Sequence, residues 1–67
     1  MKIRINGELK EVEKPINLSE LLEKLNVQKK GIAVELNQAV VPKDSWPSIH
    51  VDEGDTVEIV QFVGGGV

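Results

Sequence analysis

Only one stretch of this 67-residue chain has helical periodicity, and extended patterns flank it on both sides. Leu18, Leu21, Leu22 and Leu25 recur at helical spacing and form a single apolar stripe. Asn17-Leu18-Ser19-Glu20 opens it as a capping box, with Asn17 at the N-cap and Glu20 reaching back from the third helical position. Glu20, Glu23 and Lys24 take the other side, with Glu20 and Lys24 spaced for a minor i,i+4 contact.

Ahead of the helix, Met1, Ile3 and Ile5 alternate with Lys2, Arg4 and Asn6, the period of a half-buried strand. Asn6-Gly7 suits a tight hairpin turn, because both central residues of that turn need positive φ. Residues 9–13 return as a second strand, and Pro15 ends it because proline has no N–H to give a ladder. Beyond the helix and Gly31, residues 32–36 read as a third strand. Asn37-Gln38 reads as a turn into a short fourth strand at residues 39–41, which Pro42 stops. Residues 43–50 look irregular, residues 52–55 turn, and residues 56–63 form the last strand. The order β-β-α-β-β-β does not alternate into a doubly wound fold. It implies an α+β domain: one mixed sheet of four to five strands with the helix packed on one face.

A chain this short sits near the lower limit for a single unaided core, which here must be built from Leu, Ile and Val. It has no cysteine, so disulfides, thiolate metal sites and cysteine nucleophiles are excluded. The net charge is −3 and only Lys29-Lys30 are adjacent bases, which argues against a nucleic-acid partner. Met1-Lys2-Ile3-Arg4 reads as a strand and not as a signal peptide, and no apolar run approaches membrane-spanning length. The expectation is a soluble cytoplasmic protein without a membrane partner.

Little in the chain suggests catalysis. His50 is the single histidine, and no spacing recommends it as the base of Ser45 or Ser48. Asp52, Glu53 and Asp55 lack the extended pattern of a calcium loop and read as a solvated turn, so no metal site is expected. Trp46 reads as a packing residue. A stand-alone enzyme is not expected.

The end of the chain is more informative. Gly64-Gly65-Gly66-Val67 follows directly on the last strand, so residues 64–67 read as a flexible glycine tail on a domain spanning residues 1–63. Glycines in a tail have high backbone entropy and no side chains to bury. They suit an arm that threads into another protein, and a glycine carboxylate is the least hindered acyl group a chain can offer. In the last strand Val57 and Ile59 point toward the helix, while Glu58, Val60 and Phe62 point away. Val60 and Phe62 then either form an exposed protein-binding patch or are hidden by the loop that carries Trp46. The sequence leaves both open.

The assembled motifs resemble the sulfur carrier family of thiamin biosynthesis (ThiS), which has a β-grasp, ubiquitin-like fold. The resemblance rests on Ile5-Asn6-Gly7 and on Leu18-Ser19-Glu20-Leu21-Leu22. It continues through Gly31-Ile32-Ala33-Val34-Glu35-Leu36-Asn37, Val40-Val41-Pro42 with Trp46, Gly54-Asp55-Thr56-Val57-Glu58-Ile59 and the glycine tail. It implies that the terminal glycine carboxylate is adenylated with ATP by a separate E1-like activating enzyme. Sulfur from a cysteine-desulfurase source then displaces AMP, and the resulting thiocarboxylate is delivered to thiazole synthase. No cofactor is bound.

Mapped onto this chain, the resemblance makes Gly66 the sulfur-carrying residue, with Gly65 as its partner in the motif. Gly64, Val60, Phe62 and Val63 become the partner-binding residues. The chain departs from the pattern in continuing to Val67, so the resemblance implies removal of Val67 before activation. The free protein is expected to be a monomer. Alternatives of the same chemistry are sulfur carriers for molybdopterin, for cysteine or methionine synthesis, or for tRNA thiolation. A ubiquitin-like protein modifier would use the same tail, and a plain binding module would not need it.

Overall fold

The computed structural model describes residues 1–62 of the chain. Five strands and one α-helix follow in the order β1 (Lys2–Ile5), β2 (Glu8–Glu11), α1 (Leu18–Lys24), β3 (Ile32–Leu36), β4 (Ala39–Val41) and β5 (Thr56–Gln61). A 3-10 helix, Lys43–Ser48, lies between β4 and β5, where the sequence pattern suggested an irregular segment. The tail at residues 64–67 and Val63 lie outside the described residues.

The strands form one mixed sheet in the order β2-β1-β5-β3-β4. The last strand in the chain is therefore the central strand of the sheet. It runs parallel to β1, with Arg4 beside Thr56 and Ile5 beside Val57. It runs antiparallel to β3, with Val34 opposite Ile59 and Leu36 opposite Val57. All other neighbours are antiparallel and are joined by the tight turns expected from the sequence. Asn6 and Gly7 adopt φ of 50° and 84°, and Asn37 and Gln38 adopt 52° and 73°. Such angles match the right-handed twist of a two-residue hairpin.

Both turn asparagines also tie their hairpins to β5. Asn6 Oδ1 accepts from Ile59 N at 2.7 Å, and its Nδ2 donates to Ile59 O at 3.3 Å. Asn37 Oδ1 accepts from Thr56 N at 2.9 Å, and its Nδ2 donates to Asp55 Oδ1 at 3.1 Å. Each side-chain amide thus takes the place of a backbone neighbour just beyond the end of its strand.

The helix begins as the capping box requires. Asn17 Oδ1 accepts from Glu20 N at 2.7 Å, and Glu20 Oε1 accepts from Asn17 N at 3.0 Å. A cap of this kind contributes about 1 kcal/mol. It also holds the Glu20 carboxylate at the helix start, so Lys24 pairs with Glu13 at 3.0 Å instead of with Glu20. The anticipated i,i+4 contact is displaced by two better-placed partners.

Leu18, Leu21 and Leu22 are fully buried with Ile3, Val34 and Val57 of the sheet, while Ile5, Ile16 and Val51 complete the core. Trp46 joins this core at 2% exposure, and its indole Nε1 donates to Val41 O at 2.9 Å. The 3-10 helix packs against α1, so Trp46 lies on the helix side of the sheet. Leu18 N donates to Ile49 O and Val51 N to Ile16 O, which ties the helix entry to the segment after the 3-10 turn. His50 is exposed and bridges Asn17 through its backbone.

The turn before β5 is exposed at residues 52–54, as expected, and its side chains also hold it in place. Asp52 N donates to Asp55 Oδ2 at 2.8 Å, and Lys2 N donates to Glu53 Oε1 at 3.0 Å. Its carboxylates close the turn and fasten it to β1.

Candidate functional site

The helix covers one face of the sheet, and alternation along each strand decides which residues are left on the other. Val57 and Ile59 of β5 face the core, as the period-two pattern requires. Thr56, Glu58, Val60 and Phe62 therefore share the opposite face. Val60 is 49% exposed and Phe62 is 54% exposed. Trp46 is buried on the helix side, so the loop that carries it does not cover them. Of the two outcomes the sequence left open, the structure has the exposed patch.

Strand register extends that patch sideways. Ala33 of β3 lies opposite Val60, and Val40 of β4 lies opposite Glu35. Val40 is 68% exposed, the highest value among the exposed large hydrophobic residues. Its place on this face, one strand beyond β3, was not legible in the sequence, because a three-residue strand carries almost no periodic signal. The exposed Leu9 sits on the same face beyond β1, opposite Arg4. Val60 and Phe62 are thus at the carboxy-terminal end of β5, Val40 is level with Glu58 in mid-strand, and Leu9 stands apart, level with Thr56 at the start of β5. Residues 63–67 follow Phe62 directly in the chain.

Of the residues singled out from sequence, Val60 and Phe62 come together here. Val63, Gly64, Gly65 and Gly66 lie outside the described residues. Phe62 is anchored by its backbone, with its N donating to Gly31 O at 2.9 Å, while its ring faces outward. Phe62→Ala is therefore expected to change stability by no more than about 0.5 kcal/mol, as at other exposed positions. Loss of a central aromatic anchor is expected to weaken partner binding about tenfold or more. Paired thermal melts and titrations against the partner check this, and a variant that loses stability but not affinity would put Phe62 in the core.

Open grooves among the described residues lie elsewhere, a small one of about 310 Å³ beside Asn37, Gln38 and Thr56. Another, of about 440 Å³, is lined by Glu13, Pro15, Ile16, Glu20, Glu23 and Lys24. Its charged groups are already engaged: Glu20 in the helix cap, Glu13 with Lys24, and Glu23 with Lys29 at 2.9 Å. A third, of about 460 Å³, lies beside Asn6, Val27, Ile32, Ile59 and Gln61 and has no titratable group in its lining. None of the described helices is long and apolar enough to cross a membrane.

The fold has close counterparts among known proteins. A crystal structure of the thiamine biosynthesis protein ThiS from Geobacter metallireducens superposes with a TM-score of 0.87 at 36% identity, covering 98% of this chain and 100% of that one. The β-grasp architecture expected from the sequence is thereby established. The sulfur carrier protein ThiS of Escherichia coli is 32% identical over 66 residues, which are 98% of this chain and all of that protein. A thiazole synthase from Paramagnetospirillum magneticum is 42% identical over 66 residues, and one from Magnetococcus marinus is 39% identical. This chain spans only 20% of the length of either synthase. The family model described as "ThiS family" matches residues 3–66. With that match running from the first strand into the terminal glycines, and a ThiS structure superposing along the chain, this protein belongs to the ThiS family of sulfur carriers in thiamin biosynthesis.

Proposed function

We propose that this protein carries sulfur as a thiocarboxylate on Gly66 and donates it for thiazole formation. A carboxylate is a poor acyl electrophile until one of its oxygens becomes part of a good leaving group. An E1-like enzyme supplies that by transferring AMP from ATP to the Gly66 carboxylate, releasing pyrophosphate. Sulfur from a cysteine-desulfurase source then attacks the acyl carbon, and AMP departs with the electron pair of the broken bond. The chain has no cysteine, so a terminal acyl group is the means by which it can hold sulfur covalently and release it. Gly66 carries the reactive carboxylate only once Val67 has been removed.

The observation that carries the choice of acceptor is the match to the two thiazole synthases. Nearly the whole of this chain corresponds to one fifth of each of those proteins. A carrier domain joined to its acceptor enzyme is presented at high effective concentration, a benefit only if the two work together. This favours thiazole synthase over the acceptors of molybdopterin, cysteine, methionine or tRNA chemistry. The exposed Val60–Phe62 face is the docking surface in this reading, and ATP-dependent activation suits a cytoplasmic protein.

The test is the intact mass of the protein isolated rapidly from its own cells without reductant. The expected species ends at Gly66 and has one oxygen replaced by sulfur. Finding only the unmodified full-length mass would overturn both the trimming and the thiocarboxylate.

A further inference from the structure

Glu35 and Glu58 stand directly opposite one another on β3 and β5, on the uncovered face. Flanking bonds from Asn37 N to Thr56 O and from Phe62 N to Gly31 O give this position the register of a hydrogen-bonded pair. The Cα atoms of such a pair are about 5.5 Å apart. Like charges placed directly opposite in a sheet destabilise it. Both residues are half-buried, and neither carboxylate takes part in an ion pair or side-chain hydrogen bond among the described residues. Of the other glutamates, Glu8, Glu13 and Glu23 each pair with a lysine, Glu20 and Glu53 accept backbone hydrogen bonds, and Glu11 is exposed to solvent. Arg4 shares the outer face, beside Thr56, and is likewise absent from those ion pairs. No ion pair among the described residues offsets this repulsion, and the pair has Val40 beside it on β4 and Val60 with Ala33 two residues along the strands.

We propose that this carboxylate pair is a receptor for a cation of the docking partner, and that it selects the enzyme that activates the tail. The partner's surface presents an arginine whose planar guanidinium bridges the two carboxylates, flanked by apolar side chains that cover Val40, Val60 and Phe62. Arginine fits better than lysine because its fork of donors serves two acceptors at once and is less strongly hydrated. Covering the apolar rim excludes water and strengthens the charge contact. Departure from a local stability rule at one exposed position is expected where that position serves a partner. This inference rests on the carrier reading, since it names the contact through which activation begins.

The test is the double variant E35Q/E58Q in a chain ending at Gly66, assayed by carrier-dependent ATP–pyrophosphate exchange with the activating enzyme. Removing the mutual repulsion is expected to raise the melting temperature by roughly 1–5 °C. The KM for the carrier is expected to rise about tenfold or more with kcat little changed, and the dependence of KM on salt should flatten. A merely structural pair would not raise stability while weakening recognition. An unchanged KM would overturn the proposal while leaving the carrier reading intact, and a lowered melting temperature would remove its premise of repulsion. If the unsubstituted chain supports no exchange, the carrier reading fails and this inference fails with it.

Discussion

Deleting Gly65 and Gly66 is expected to abolish thiocarboxylate formation completely while leaving the melting temperature unchanged. The described core is built from residues between Ile3 and Val57, with the helix, the sheet and Trp46 packed together. The chemistry in the proposed function has no other carboxylate to use, because the activating enzyme must receive a thin, unbranched chain end. A variant ending in Ala at position 66 should be activated far more slowly, since a Cβ narrows the backbone conformations available in a tight channel. Exchange assays and intact mass read the first effect, and thermal melts read the second. Sulfur still carried by the deletion variant would show that a different group holds it. A fall in stability would show that the tail packs on the domain.

Leu21→Ala is expected to produce the largest loss of stability of any single helix substitution proposed for this chain. Leu21 is fully buried in the core cluster that also holds Ile3, Val34 and Val57 of the sheet. Truncation of a buried leucine costs about 2–5 kcal/mol, through lost transfer energy and the cavity left behind. A domain of this size has a total stability of only about 3–10 kcal/mol. The variant should therefore lose about a fifth or more of its stability, with a melting temperature lowered by roughly 10–30 °C. Denaturant titration checks this. A loss below about 1 kcal/mol would mean that the short helix shifts to close the cavity.

Much of the fold was legible because its signals are local. Asn6-Gly7 and Asn37-Gln38 each specify a turn through the φ their residues tolerate, and both turns form. Asn17 and Glu20 cap the helix through atoms three residues apart. The inward and outward sides of β5 follow from alternation alone, so Val60 and Phe62 could be placed on a common face before any packing was known. Boundaries were less sharp. The second strand stops at Glu11 and does not continue to residue 13, and β5 ends at Gln61. The segment after Pro42 winds into a 3-10 helix because Trp46 must reach back to the Val41 carbonyl.

The candidate site was legible only in part, for a related reason. Val60 and Phe62 carry a periodic signal, whereas Val40 sits in a strand too short to have one. Glu35 and Glu58 are separated by a turn, a strand and a 3-10 helix, and nothing near either residue announces the other. The same holds for Lys24, whose partner Glu13 lies on the far side of the helix start.

By itself, then, the sequence determined the strands and the α-helix, the turns, the helix cap, the absence of thiol chemistry and the ThiS family resemblance. Each depends on residue identity within a few positions, or on motif order along the chain. Only the tertiary structure decided that the last strand is central, that Trp46 leaves the outer face bare, and that two carboxylates meet there unpaired. These depend on strand register between segments far apart in the chain, where many pairings satisfy the local rules. The choice among them is made by burying Leu18, Leu21 and Leu22 against Ile3, Val34 and Val57 in one core.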